Sequence, residues 1–292
     1  MRVTDAMQGD LLRWDLQTVQ GQMMNEQQQL ATGHRIQVPS DDPVGTENVL
    51  QWQAALDQNT QDQANAKDAQ AWLETGQSAL QQAVTQVQRI RTLALEANQG
   101  TLTPQQLQSV AEQVSASQDA LAQAAAARVG DSYIFSGDQT ETQPFVLGTS
   151  GYTYAGGSGS VTRELVPGVQ VAVNVNGGTV FGPVFAAVRQ ILGDLGKGNP
   201  GAVAGKDLTT LDSALNGLIG AEGQVGGILQ QVTSGQSQLT ATGVALQKLQ
   251  AGTLDTDVTQ AVVRLQQLQL SYQSALAVGA QLMRQTLADY LQ

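Results

Sequence analysis

Few side chains in this sequence are grouped so that they could do chemistry. His34 is the single histidine and there is no cysteine, so a histidine-based metal cluster, an H-E-x-x-H site, thiolate ligation and a disulfide framework are all excluded within the chain. Gly193-Asp194-Leu195-Gly196-Lys197-Gly198 glances at a phosphate loop. Ile191 stands where its first glycine belongs, however, and no Ser or Thr follows the lysine, so the stretch reads as a helix C-terminus. Asp41 and Asp42 could bind a cation or cap a helix. Asp255 and Asp257 could pair as carboxylates, but beside Thr253 and Thr256 helix capping is their commoner use. Tyr152, Tyr154 and Phe181 could line a sugar site or fill the core of a small sheet. No catalytic, cofactor-binding or metal-ligating residue is assigned, and an enzyme is the weakest reading.

Composition narrows the field further. The chain has 292 residues, enough for one large domain or two smaller ones with real cores. Its net charge of −11 makes nucleic acid and anionic membrane surfaces poor partners. No apolar run approaches the ~18 residues of a membrane span. Met1 to Ala6 lacks the apolar core of a secretory signal, so export would need a route without one. Charged residues make up 13% of the chain, about half the ~25% of an ordinary soluble domain. Glutamine replaces them along the helical stretches, either because those faces meet neighbouring subunits or because glutamine is a good helix former on a wet surface.

The element that must position everything else is the stretch Leu30 to Val44. Gly33 is the expected stop of a first helix, and Pro39 and Pro43 forbid a helix from running through. Asp42 followed by Pro43 is an N-cap with a first-turn proline, so the helix restarts there. Before this corner, Leu12, Leu16, Val19, Met23 and Leu30 fall at alternating four- and three-residue steps, with Glu26 filling the one polar position. That spacing is a coiled-coil seam on a helix over residues 3–32. After the corner a helix over 43–98 carries Leu50, Ala54, Trp72, Leu73, Leu80, Val84, Val87, Ile90 and Leu93. Its polar middle, Asp57 to Asp68, is either a solvated turn of helix or a break. Asn98-Gln99-Gly100 is a stop, and Thr103-Pro104-Gln105-Gln106 is a capping box opening a third helix that ends near Gly130.

From Tyr133 the period changes to two. Tyr133 to Phe135 reads as a strand running into a turn at Gly137. Residues 161–166 and 169–175 read as a hairpin about Pro167-Gly168, with Val169, Val171, Val173 and Val175 on one half-buried face. Asn176-Gly177 reads as a second turn before Thr179, Val180 and Phe181. Helix returns over 183–195, then from Leu208 in a long pattern carrying Gly217, Gly220, Gly223, Gly226, Gly227 and Gly235. Each glycine costs up to ~1 kcal/mol against alanine, so this helix is either closely packed or locally soft. After an interruption at 253–257 the last helix presents Val258, Val262, Leu265, Leu268, Tyr272, Leu276, Leu282, Leu287 and Tyr290 as a second seam.

This order predicts a mainly α fold with a small β insert. The expected architecture is a long antiparallel helical bundle or coiled-coil rod made from both chain halves, with the N- and C-terminal helices paired and the β module at the distal end. The expected division is 1–40 with 255–292 as a terminal coiled-coil domain, 41–135 with 183–254 as a helical core, and 136–182 as a small β domain.

Three motifs resemble the flagellin superfamily of bacterial axial proteins. Leu30-Ala31-Thr32-Gly33-His34-Arg35-Ile36 followed by Pro39-Ser40-Asp41-Asp42-Pro43 is similar to its L-S-T-G-K-R-I and P-S-D-D-P signature, with His34 in place of the lysine. Met1-Arg2-Val3-Thr4 with Met7 resembles its opening, M-R-I-S-T-x-M. Tyr133-Ile134-Phe135-Ser136-Gly137, then Thr142, Pro144 and Phe145, resembles its Y-I-F-x-G…T-x-P-F exit from the helical core. The prolines around Ser40-Asp41-Asp42 set the chain apart from flagellin proper and place it nearer the hook-associated members. Val225-Gly226-Gly227-Ile228-Leu229 echoes the family's V-G-A-R-L-N without its arginine. The resemblance implies a structural role without catalysis or cofactor, in a ring of identical subunits between hook and filament. It also implies export through the flagellar type III channel. The implied partners are hook-associated protein 1, flagellin and an export chaperone on residues 258–291. A flagellin-type filament subunit and an adhesive, glycan-binding β module on a helical stalk are the alternatives.

Overall fold

The computed structural model describes residues 2–98, 102–149, 151–166 and 168–290. The chain divides into two compact units, residues 1–57 with 243–292 and residues 58–242. In the first unit α1 (Arg2–Thr32) lies against α8 (Val258–Tyr290). The pair is antiparallel, because Glu26 meets Arg264 while Leu12 meets Gly279. The N-terminal part of α2 (Pro43–Ala97) and the C-terminal part of α7 (Leu208–Leu254) belong to the same unit, where Gln250 Nε2 donates to Gln53 Oε1 at 2.8 Å.

The polar stretch 57–68 does not break α2. Asn59 Nδ2 donates to the Leu239 carbonyl at 3.0 Å, and buried Asp62 accepts from Gln58 at 2.8 Å. Buried polar groups with partners cost little, so these side chains are accommodated without unwinding the helix. Many glutamines of α2 bond four residues along their own helix, as in Gln53 to Asp57, Gln61 to Asn65 and Gln70 to Glu74. Each such pair contributes roughly 0.2–0.5 kcal/mol, which gives those glutamines a role on a wet surface.

The second unit holds most of the large buried side chains, among them Leu80 and Ile90 of α2, Leu121 of α3 (Pro104–Ala125), and Leu211 and Leu218 of α7. Thr103 makes the expected capping box with Gln106. Its partner signal, the stop at Asn98-Gln99-Gly100, lies partly outside the described residues. α3 stops at Ala125 rather than near Gly130, because Gly130, at φ +58°, turns β1 (Arg128–Val129) back onto β2 (Ser132–Tyr133). The strand expected over 133–135 therefore ends at Tyr133, and Ile134 and Phe135 turn into the core.

Instead of one half-buried sheet, the described strands form three separate antiparallel ribbons. These are β1–β2, β3 (Phe145–Gly148) with β4 (Gly151–Tyr154), and β5 (Thr162–Val166) with β6 (Val169–Ala172). Gly168 has the positive φ of +84° that the expected turn requires, while Pro167 lies outside the described residues. Val171 and Val173 are buried but Val169 is exposed, so the common valine face fails at the hairpin tip.

Asn176-Gly177 is not a hairpin turn. Asn176 Oδ1 accepts from Thr179 N at 3.2 Å and caps the short helix α4 (Gly177–Val180). Gly177 N donates to the Phe135 carbonyl, and a Cβ on Gly177 would stand 2.4 Å from that oxygen. The glycine is demanded by close backbone approach, not by a turn type.

α5 (Gly182–Gly196) follows and packs on α3. Then come α6 (Pro200–Ala202), a π-helical turn (Val203–Asp207) and α7. Lys197 follows the end of α5 and pairs with Asp194 at 3.2 Å, which is the helix C-terminus expected for the phosphate-loop lookalike. At each of the six glycines of α7 named above, an added Cβ would meet nothing within 4 Å. Close packing within this chain is thus not what they are for.

Candidate assembly site

Two corners of the first unit are sewn together. Gly33 ends α1 in the left-handed region, φ +76°, and its N–H donates to the Gln29 carbonyl at 2.8 Å. Its own carbonyl accepts from Thr256 N at 2.9 Å, and Arg35 N donates to the Leu254 carbonyl at 2.7 Å. His34 and Asp255 between them form an isolated antiparallel bridge, with Nδ1 and Oδ1 3.3 Å apart. The chain leaving α1 and the chain entering α8 are therefore one two-stranded joint.

Each acidic residue of the corner has a distinct task. Asp41 Oδ2 accepts from the backbone N–H groups of Gln37 and Val38, at 3.0 and 3.1 Å, closing the loop before α2. Asp42 Oδ1 accepts from Gly45 N at 2.8 Å and caps α2, with Pro43 as its first residue. Arg35 Nη2 donates both to Asp42 Oδ2 and to the Thr253 carbonyl, each at 3.0 Å. The Gly45 N–H first, and the Arg35 guanidinium second, hold the Asp42 carboxyl below the usual aspartate range. Ile36 is buried while Pro39 and Ser40 are exposed. A Cβ on Gly45 would sit 2.5 Å from Asp42 Oδ2 and 2.7 Å from Ile36 Cδ1, so Gly45 belongs to the corner although sequence reasoning left it out. Asp257 Oδ1 caps α8 by accepting from Thr259 and Gln260 N–H groups.

The N-terminal seam lies where the spacing placed it. Leu12, Leu16, Val19, Met23, Glu26 and Leu30 are half-buried among exposed neighbours. On α8 the seam is displaced. Val258, Val262 and Leu276 are exposed, whereas Ala261, Leu265, Leu268, Tyr272, Ala275 and Gly279 keep a strict four-three alternation of buried or half-buried positions. Leu282, Leu287 and Tyr290 lie outside the described side chains. The sequence reading followed large apolar residues and so missed the small ones. Yet Gly279 admits Leu12 so closely that a Cβ there would stand 2.6 Å from Leu12 Cδ2. Met7, Leu11 and Trp14 form a second stripe at the same spacing, and each is more than 60% exposed.

The core exit motif lies in the second unit. Phe135 and Phe145 are fully buried and join Phe181 and Phe185 in one aromatic cluster, with centroids 4.6–6.1 Å apart. The Arg128 guanidinium lies 4.2 Å over the Tyr133 ring. Gly137, at φ +63°, approaches Gly157 so closely that a Cβ would stand 2.2 Å from its carbonyl oxygen. Pro144 is buried and its carbonyl accepts from Ala155 N at 2.9 Å. Tyr154 Oη donates towards the Gly157 and Phe135 carbonyls, and Tyr152 Oη bonds Asp119. The tyrosines and Phe181 are occupied by packing.

A helical chain whose two ends form an antiparallel coiled coil, joined by a proline-stiffened corner, matches known proteins in the same segments. A model of the bacterial flagellin N-terminal helical region matches residues 7–140, and one of the C-terminal helical region matches residues 208–291. The chain belongs to the flagellin family. Within it, the chain is similar to flagellar hook-associated protein 3 of Salmonella typhimurium, with 28% identity over 185 residues that cover 63% of this chain and 58% of that protein. The match thus spans less than two thirds of that relative's length. The fold is shared with Bacillus cereus FlgL, at 23% identity and TM-score 0.59 over 69% of this chain and 97% of that one. It is shared also with the flagellar junction protein FlgL of Legionella pneumophila, at 17% identity and TM-score 0.61 over 73% and 100%.

Proposed function

We propose that this protein is a structural axial component of the bacterial flagellum, joining the hook, through hook-associated protein 1, to the first flagellin subunits, and that it performs no catalysis. The observation that carries this reading is the antiparallel α1–α8 coiled coil sewn to its corner, in a chain similar to hook-associated protein 3. Residues 1–40 with 255–292 act as the assembly domain, 41–135 with 183–254 as the helical core, and 136–182 as the β domain. The partners are identical subunits in a ring, hook-associated protein 1, flagellin, and an export chaperone that takes α8 before assembly. The exposed stripe of Met7, Leu11 and Trp14 supports the self-contact, since contiguous exposed apolar side chains mark interaction surfaces. Neither seam can bury its stripe alone, so helix order comes with packing. Export follows the flagellum's own type III channel, and the destination is the hook–filament junction.

The test is electron microscopy of a strain lacking this protein, complemented with Leu16→Asp or Leu265→Asp. Both positions face the seam. Hooks without filaments, and flagellin released into the medium, are expected for the deletion and for both variants. Normal filaments in the deletion strain would refute the junction role; normal filaments in both variants would refute the seam.

A further inference from the structure

The base of α7 and the end of α5 bring two carboxyl groups together. Asp207 closes the π-helical turn Val203–Asp207 and is 3% exposed. Its Oδ2 is buried and accepts no hydrogen bond among the described residues. Asp194, in the last turn of α5, lines the same cavity of about 340 Å³ and accepts from Lys197 Nζ at 3.2 Å. The other charged groups facing the cavity are Arg189 of α5 and Lys206 of the π-helical turn.

An ionised carboxylate with one oxygen buried and unbonded is costly. A carboxylic acid resolves the problem, because its O–H is a donor and a neighbouring carboxylate is a strong acceptor. The unbonded oxygen is then the place of a proton. π-helical turns are rare and are found mostly where a helix is locally put to use, and this one carries Asp207 to α5.

We propose that Asp207 holds a proton which it donates to Asp194, so that the pair is a proton-dependent latch between α5 and the base of α7. Burial first, and the Asp194 charge and hydrogen bond next, push the Asp207 carboxyl up; Lys206 and Lys197 pull it partly back. A carboxyl whose folded-state pKa is raised stabilises the fold fully below its unfolded value and loses that contribution as pH rises through the folded value. Above that point two carboxylates face each other across the cavity, Asp207 must reach water, and the π-helical turn loosens from α5.

The latch is tested by following the carboxyl carbons by NMR across pH in the full chain, together with thermal melts of the protein and of Asp207→Asn. The Asp207 carboxyl should titrate in an upper step, distinctly above the ordinary aspartate value. The wild type should lose melting temperature as pH rises through that upper step. Asp207→Asn, whose amide still donates to Asp194, should lose that slope, and Asp194→Asn should move the upper step down. Two ordinary titrations, or a wild-type slope retained in Asp207→Asn, would overturn the proposal. Should the variant not fold, the wild-type titration decides alone.

Discussion

The α1–α8 seam is coded by size, and exchanging a large and a small residue across it tests that directly. From Leu12 against Gly279 and Glu26 against Arg264, stepping one turn at a time places Leu16 level with Ala275 and Leu30 level with Ala261. Each of these three seam leucines of α1 thus stands level with a small residue of α8. In Gly279→Ala the new Cβ would stand 2.6 Å from Leu12 Cδ2, the far end of a flexible side chain. Overpacking costs roughly 1–3 kcal/mol, while removing a glycine from a helix interior gains about 1 kcal/mol, so the net effect should be small. Gly279→Leu adds three further carbons to the same space and should cost close to the upper figure. Leu12→Ala should lose about 1–2 kcal/mol, part of the transfer energy of a leucine that is only half-buried. Leu12→Ala combined with Gly279→Leu moves the leucine across the seam and should recover most of both losses, a coupling of about 2 kcal/mol or more. Hydrogen exchange of α1 amides reads the stability. Register is read by engineered cysteines, which have no native competitor in a chain without cysteine. A thiol cross-linker should join positions 16 and 275 but not 16 and 268, because a one-heptad slip moves partners ~10.5 Å. A double variant no more stable than Gly279→Leu alone would refute the size code.

Three further outcomes follow from glycines and caps. Gly45→Ala should displace Asp42 from its cap and loosen the start of α2, seen as faster exchange of the amides at 45 and 46; unchanged exchange would remove Gly45 from the corner. The same cap is pH-dependent: with its carboxyl held below the ordinary value, Asp42 contributes stability that is present above that ordinary value and is lost as pH falls through the lowered one. Asp42→Asn should therefore flatten the acid limb of corner exchange. Gly137→Ala must meet a backbone carbonyl at 2.2 Å from a residue at φ +63°. That combines strain with backbone displacement, so it should lower the melting temperature far more than Gly130→Ala, which has positive φ but open space around it.

What the sequence made legible was whatever rests on local chemistry. Gly33, Asp42-Pro43 and the Thr103–Gln106 capping box were readable because caps and stops are set by the residues themselves and their immediate neighbours. Long helices were readable for the same reason, including α1 to within a residue at its N-terminal end. Asn176-Gly177 misled because the same pair serves as an I′ turn or as a helix N-cap, and only the Phe135 carbonyl, about forty residues upstream in the chain, decides between them. The joint between 33–36 and 253–256 was likewise invisible, since backbone bridges leave no mark on side-chain spacing.

The C-terminal seam shows the same limit from the other side. A search for large apolar residues on α8 finds Val258, Val262 and Leu276, because hydrophobicity is what periodicity detects. In an antiparallel pair the buried face is fixed jointly, and α1 already supplies the leucines. What α8 must supply there is room, so buried Ala261 and Gly279 and half-buried Ala275 face the leucines, while Val258, Val262 and Leu276 remain exposed. The seam on one helix is legible alone; its complement is legible only with the first helix laid against it. That asymmetry bears on assembly. The exposed valines and Leu276 on α8, and Met7, Leu11 and Trp14 on α1, are apolar surface that the intramolecular pair leaves over. Contiguous apolar surface left over in this way marks a second interaction face, available once the first is filled.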